Sequence, residues 1–380
     1  MIVGIVGVGH STNIGDQLIA KCLAESILKF NYVEKVLFYD LSKGQYDIEF
    51  KHPLGLNIPL KGAKEKKRNH SIRFLKTLFL EKFNPSVSDN DLNKFIETCD
   101  SFVIGGGHLL IDNFGVFGSK LTRVIKMILE KDKKCFFWSV GVGDIHSYLY
   151  NFFFLKTLKR VPVYTRDKNS FLNAKNLGLD VKGVVHDCAF TSAKLIETSN
   201  NIESCLTLFI MDPNESSRHS NLTIDREEAK RWWLCLIEFF ATKYKCINIA
   251  NNGSSNDYFF IKEYIEPYAN LNGKDCKINI LDRSLSYHDI LNVISISDHI
   301  VAQRLHAIVP SICYDKKVVA IKWDVKVENI LSDANLSNIL IDFSTLPSEV
   351  YNRLKNYNEQ PRVNLEEYNK ILIQNLKDMK

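Results

Sequence analysis

Short β-branched and aromatic runs alternate with longer amphipathic stretches along most of this chain, and that rhythm constrains its fold more than any other feature. The runs predict strands over 2–8, 35–39, 101–104, 135–140, 161–164 and 181–186. They resume over 205–211, 245–250, 276–281, 298–302 and 318–322. The 3.6-residue patterns between them predict helices over 16–29, 119–130, 168–176, 226–244, 287–295 and 305–313. Near-continuous apolar strands separated by helices are the pattern of parallel sheets covered on both faces, so the expected class is α/β. The rhythm runs through twice. It breaks at the polar stretch ETSNNIES, and 380 residues exceed what one core usually supports. Two parallel-sheet domains are expected, at 1–197 and 205–345. The remainder, 346–380, is expected to be helical and to pack back on the first domain.

The charge balance is mild, with 49 basic and 44 acidic side chains giving a net charge of +5. That is far from the footprint of a dedicated nucleic-acid binder, so no nucleic-acid partner is expected. The nine cysteines are widely spaced and include no CxxC. This argues against a thiolate metal site and against a disulfide framework, and leaves buried thiols in a reducing compartment. The apolar stretch 149–155 is about a third of the roughly 20 residues a membrane span needs. The N-terminal MIVGIVGVGH reads as a buried strand without a basic leader, so a cytoplasmic location is the expectation.

Within an insertion at about 43–100, residues 61–83 carry eight basic and two acidic side chains. Ile72, Leu75, Leu78 and Phe79 recur there at helical spacing beside Arg73, Lys76 and Lys82. Such a segment can lie on an anionic membrane surface, which predicts peripheral contact at its inner face. The plainer reading is a solvated charged loop leading into a helix docked on the core.

Five segments place chemistry at strand ends. The turn GVGHSTNIGD follows the first strand and opens a helix, where free N–H groups can hold an anion. Counting Gly7 and Gly9 as the first two glycines, the third position of the dinucleotide fingerprint is Thr12, so a nicotinamide or flavin cofactor is poorly supported. Asn13 and Asp16 point to a ligand at the sheet edge or, equally, to helix capping. The second segment, Gly105-Gly106-Gly107, lets backbone approach closely and is followed by His108 and Asp112. In the third, VYTRDKNS, Arg166 leaves a strand end, where its planar fork suits a carboxylate or phosphate. The alternative for Arg166 is a structural pair with Asp167. The fourth, VVHDCAF, puts Asp187 at another strand end.

The fifth segment is the most informative. Gln303-Arg304-Leu305-His306 leaves a strand, and Lys322, Asp324 and Lys326 follow the next one. Arg304, His306 and Lys326 then share one domain edge, and Arg166 lies on the other. Several cations and one histidine without a metal-ligand cluster describe a pocket for a small, multiply charged anion, with no metal expected.

These motifs, in this order, resemble the polysaccharide pyruvyl transferase family. The family shows N-x-G-D, here Asn13-Ile14-Gly15-Asp16, then G-G-G, here Gly105-Gly106-Gly107, and G-x-G, here Gly141-Val142-Gly143. It then shows R-D-x-x-S, here Arg166-Asp167-Lys168-Asn169-Ser170, R-L-H, here Arg304-Leu305-His306, and D-x-K, here Asp324-Val325-Lys326. The family's usual proline is replaced by Asp144 after the G-x-G and by Cys188 after Asp187.

The resemblance implies two Rossmann-like domains facing across a cleft, as in GT-B glycosyltransferases, with the acceptor on the first and the donor on the second. It implies transfer of the pyruvyl group of phosphoenolpyruvate onto two hydroxyls of a sugar, free or lipid-linked, with phosphate released and no cofactor. Arg166, Arg304, Leu305 and Lys326 would hold phosphoenolpyruvate. His306 would act as general acid, since histidine titrates near neutral pH, and Asp16 or Asp112 as base. Asn13, Gly15, Gly105, Gly106, Gly107 and His108 would line the substrate site. A nucleotide-sugar glycosyltransferase on the same cleft is the alternative, but the second domain shows no obvious acidic pair for a ribose. A non-catalytic glycan binder is disfavoured by the intact Arg166, Arg304, His306 and Lys326.

Overall fold

A computed structural model describes residues 1–11, 13–46, 70–83, 85, 88–112, 115–197, 205–215, 224–269 and 276–379. The first half forms a seven-stranded sheet ordered β3-β2-β1-β4-β5-β6-β7. Its strands are β1 Ile2–Gly7, β2 Lys35–Asp40, β3 Gly44–Tyr46, β4 Ser101–Gly105, β5 Cys135–Val140, β6 Val163–Thr165 and β7 Val181–Val184. All neighbours pair in parallel except β3, which returns antiparallel along β2. The second half forms an all-parallel sheet ordered β10-β9-β8-β11-β12-β13. Its strands are β8 Cys205–Phe209, β9 Cys246–Ala250, β10 Lys277–Ile280, β11 His299–Ala302, β12 Lys317–Ile321 and β13 Leu340–Ile341.

The central strands are buried along their whole length, as β4, β5 and β8 show. Helices cover both faces, so these strands have no solvent side and need no alternation. The predicted helices over 168–176, 287–295 and 305–313 have those bounds in the structure. The helix Asp89–Thr98 lies inside the stretch read from sequence as an insertion, and its composition hid it. It starts at a cap the sequence does carry: the Ser88 hydroxyl accepts from Asp91 N at 3.1 Å. Of the basic segment, residues 70–83 form a helix, and 61–69 lie outside the described residues.

One apolar core runs across both halves. The helix Ile14–Leu28 packs on the helix Leu305–Cys313 and on the turn Cys188–Lys194. The helix Leu365–Lys377 returns to the first sheet, where Tyr368 meets Trp138 edge-on at 5.1 Å between ring centroids. The Tyr368 hydroxyl also donates to Cys188 Sγ at 3.3 Å. Among the described residues, no helix is long and apolar enough to cross a membrane.

Candidate active site

The turns at the carboxyl ends of β1, β4 and β6 face those after β9, β11 and β12. Between them is a pocket lined by Asn13, Asp16, Gly107, His108, Arg166, Asn252, Arg304, Leu305, His306, Trp323 and Lys326. Its volume of about 80 Å³ suits a small anion better than a drug-sized ligand, whose pockets start near ~300 Å³.

On the first half, Asn13 occupies the N-cap position of the Ile14–Leu28 helix without a side-chain capping bond, which leaves its amide for the pocket. Asp16 follows in the first turn. Burial raises its carboxyl above the usual value of 3.8, against the charge of His306 and a hydrogen bond from Ser11. The buried Asp40, at the end of β2, accepts from Gly9 N and His10 N, each at 2.8 Å, and from Ser42 N at 2.7 Å. In a dinucleotide-binding domain an acid near this point would hold the ribose. Here it folds the β1 turn instead.

The triple glycine divides its labour. Gly106 and Gly107 take φ values of +79° and +77°, which side chains rarely adopt. Gly107 lines the pocket opposite Asp16, with 3.7 Å between a β-carbon there and Asp16 Oδ1. Gly105 and Gly106, expected from sequence to line the substrate site, pack under the Ile14–Leu28 helix against Leu23 and Ile19 instead. Gly15, also expected there, faces the His306 ring.

Arg166 is buried between two carboxylates, with Nε 3.4 Å from Asp167 Oδ2 and Nη1 3.5 Å from Asp187 Oδ2. It is thus both a structural pair and a pocket cation. Asp167 caps the next helix by accepting from Ser170 N at 2.6 Å, and the Ser170 hydroxyl accepts from Val142 N at 3.1 Å. The R-D-x-x-S motif therefore ties Arg166 to the Gly141–Gly143 turn.

On the second half, Arg304 makes a two-pronged pair with the fully buried Asp257, Nε to Oδ2 at 3.0 Å and Nη2 to Oδ1 at 2.9 Å. His306 lies inside a helix with ψ of +16°. Pro310, four residues on, has no N–H for the His306 carbonyl, and its ring crowds that carbonyl. The resulting kink turns the imidazole toward the cleft. His306 Nε2 is 3.9 Å from Asp187 Oδ2 and has no hydrogen-bond partner among the described residues. Burial alone would raise Asp187, but its interactions with His306 and Arg166 hold it below the ordinary range. Lys326 Nζ sits 3.0 Å from Asp324 Oδ2, and burial lowers its pKa. The Trp323 ring lies between the two cations, 5.6 Å from the Arg304 guanidinium and 4.7 Å from Lys326 Nζ.

The second expected base is elsewhere as well. Asp112 lines a separate hollow and pairs with His70 at 3.3 Å, because the turn after His108 carries it past the cleft. Two pocket residues went unread in the sequence, Asn252 and Trp323. Asn252 follows β9 in the segment ANNGSS, so the strand-end rule that marked Arg304 could have found it. It is 1% exposed, and neither of its amide atoms has a partner among the described residues. Asp257, which positions Arg304, carried no local signal.

A family model described as polysaccharide pyruvyl transferase matches residues 13–325. No curated protein sequence matches significantly. Among solved structures, UDP-GlcNAc 2-epimerase from Methanocaldococcus jannaschii is similar with a TM-score of 0.58 at 11% identity, covering 99% of each chain. The Neisseria meningitidis UDP-GlcNAc 2-epimerase bound to UDP-GlcNAc gives 0.54 at 9% identity, again over 99% of each chain. A Listeria monocytogenes protein assigned as a UDP-N-acetylglucosamine 2-epimerase gives 0.62 at 10% identity, over 100% of this chain and 97% of that one. At such identities the likeness is one of fold, two Rossmann-like domains facing across a cleft in the GT-B manner.

Proposed function

The chain belongs to the polysaccharide pyruvyl transferase family, and from that premise we propose that it moves the pyruvyl group of phosphoenolpyruvate onto two hydroxyls of a sugar in a cell-surface polysaccharide precursor. The observation that carries this reading is the meeting of Arg166, Arg304, Lys326, His306 and Asp16 in one narrow pocket. Phosphoenolpyruvate brings roughly three negative charges on a carboxylate and a phosphate, and Arg166, Arg304 and Lys326 face it with the N–H groups that Asp167, Asp187, Asp257 and Asp324 leave over. Asn252 offers an unpaired amide to the same ligand.

In the reaction, His306 donates a proton to C3, and positive charge develops at C2. A sugar hydroxyl attacks C2 while Asp16, its carboxyl raised by burial, takes the hydroxyl proton. The C2–O bond to phosphate breaks, and phosphate leaves with the proton that Asp16 took, which restores the base. The second hydroxyl closes on C2 and releases its proton to neutral His306, which restores the acid. The sum is phosphoenolpyruvate plus a diol giving a ketal plus phosphate, with no change of oxidation state. Asp187 faces both His306 and Arg166 and acts as a positioning residue for acid and donor together.

In this reading the acceptor is a glycan or lipid-linked oligosaccharide. The protein works in the cytoplasm, as a peripheral protein at the membrane's inner face where the acceptor is lipid-borne. A nucleotide-sugar donor is disfavoured by the pocket's small volume and by the commitment of Asp40 to backbone. The test is incubation with phosphoenolpyruvate and a panel of lipid-linked and nitrophenyl glycosides. Phosphate release matched by an acceptor mass gain of one pyruvate less water is the expected result. Transfer from a nucleotide sugar, with phosphoenolpyruvate untouched, would overturn it.

A further inference from the structure

Among the described residues, eight of the fifteen exposed large hydrophobic side chains lie on two neighbouring segments, the helix His70–Phe83 and the helical run 148–158. Ile72, Phe79, Phe83, Tyr148 and Phe152 are each more than 60% exposed. The segments are joined from beneath. Phe74 is fully buried, and its ring is 6.4 Å from Phe153 and 5.7 Å from Phe154. Leu75 and Tyr148 line one hollow between them. Exposed apolar residues are ordinary when scattered singly, but a contiguous patch marks an interaction surface.

The charges on the same segments select the partner. Arg73, Lys76, Lys82 and Lys156 are exposed there. The single acid in the two segments, Glu81, turns inward to the buried Lys120 at 3.7 Å. Protein interfaces are depleted in lysine at their centres. Aromatic and aliphatic tips interleaved with lysine, with no outward acid on either segment and the exposed Asp144 paired to His146 at their edge, instead match an interfacial face on anionic lipid. There the rings enter the headgroup boundary, and the lysine stems lie along them with their ammonium groups at phosphate depth.

We infer that the helix His70–Phe83 and the helical run 148–158 together form a docking face for an anionic lipid surface. Only the first had a basic amphipathic pattern in the sequence, and the second joins it through the packing on Phe74. The face borders the cleft: the hollow that holds Leu75 and Tyr148 also holds Asp144, and His108 of the pocket approaches Gly143, with 3.4 Å to a β-carbon there. Docking would thus bring the pocket close to headgroups that carry a lipid-linked saccharide. This last step rests on the proposed pyruvyl transfer, whereas the docking does not.

The experiment is co-sedimentation of the full chain with phosphatidylcholine vesicles, with and without about one third phosphatidylglycerol, at low and high salt. Partition onto the anionic vesicles, weakened by salt, is expected. Phe79→Ser with Phe152→Ser should lower it at least about tenfold, since each removes a ring from the bilayer boundary. Lys76→Gln and Lys82→Gln should each cost about fivefold, on anionic vesicles alone. Melting curves on the same preparations establish that the variants are folded. Turnover of a short soluble acceptor should be unchanged in all of them. Failure of that turnover in the parent protein sinks the reaction and leaves the docking standing. Absence of partition in the parent, or partition unchanged in both sets of variants, overturns the docking. So does a concentration-dependent dimer that Phe79→Ser with Phe152→Ser abolishes, which would assign the face to a second copy of the chain.

Discussion

Gly15 and His306 meet where the two halves of the chain touch: a β-carbon on Gly15 would stand 2.1 Å from His306 Nδ1 and 2.6 Å from its Cγ. A contact below 3 Å forces something to move, and the atoms in the way are the near side of a buried ring. Gly15→Ala should displace the imidazole and lower kcat by about 10²-fold, the scale of loss when a reacting group is misplaced by about 1 Å. Affinity for phosphoenolpyruvate should fall much less. Steady-state kinetics decides the matter, and a Gly15→Ala enzyme with normal kcat would show that His306 needs no such seat.

His306→Ala should lose turnover by about 10²–10⁴-fold and donor affinity only slightly, because the proton counts in the transition state and not in the ground state. A purely structural histidine would give the opposite pair of results, a lower melting temperature with turnover intact. Both quantities are to be measured on one preparation.

Arg304→Ala removes a donor contact and also strips Asp257 of its counter-charge. The first effect should cost roughly 2–5 kcal/mol in donor use. The second should cost about 3–5 kcal/mol in stability, as breaking a buried pair leaves a charge uncompensated. Adding Asp257→Asn should restore much of the stability and none of the donor use. Denaturant melts and the donor dependence of turnover separate the two. If the double variant also regains donor use, Arg304 serves only as a clasp.

Asp16 holds its proton more tightly in the folded protein than in the unfolded chain, because burial raises its pKa. The sign follows. Its ionisation opposes folding, with the penalty absent below the unfolded value and fully present above the folded one. Asp16→Asn should therefore raise stability at pH 7 and change it little near pH 3, while abolishing most activity. In the parent enzyme, activity should fall on acidification along a limb centred above the ordinary aspartate value. Melting temperatures and kcat across pH test both parts, and an Asp16→Asn enzyme less stable at pH 7 would contradict the assignment.

Asp112→Asn should leave turnover of a short acceptor within about twofold, the scale of a substitution with no transition-state contact. Asp112 pairs with His70 in the hollow outside the cleft. A large loss of kcat would return Asp112 to the list of bases.

The sequence by itself determined eleven of the thirteen described strands, the main helices between them, and the residues leaving strand ends, because apolar periodicity and turn chemistry are local and survive in one dimension. The edge strands β3 and β13 are too short, and the helix Asp89–Thr98 too polar, to stand out in that pattern. Arg166, Arg304, His306 and Lys326 were legible for that reason, and their motif order pointed to the family. Only the tertiary structure decided which strand ends share a cleft. Sheet order and the packing of the Ile14–Leu28 helix on the Leu305–Cys313 helix bring Asp16 to His306, and a turn's direction takes Asp112 away. Asp257 lies 47 residues from Arg304 and Asp187 lies 21 from Arg166. Such partners are chosen by burial, which makes an unpaired guanidinium costly and leaves no trace in local pattern. The aromatic face was hidden for the same reason. In the sequence 149–155 is only an apolar stretch too short to span a membrane, and only packing shows which rings of the run 148–158 turn inward and which face outward.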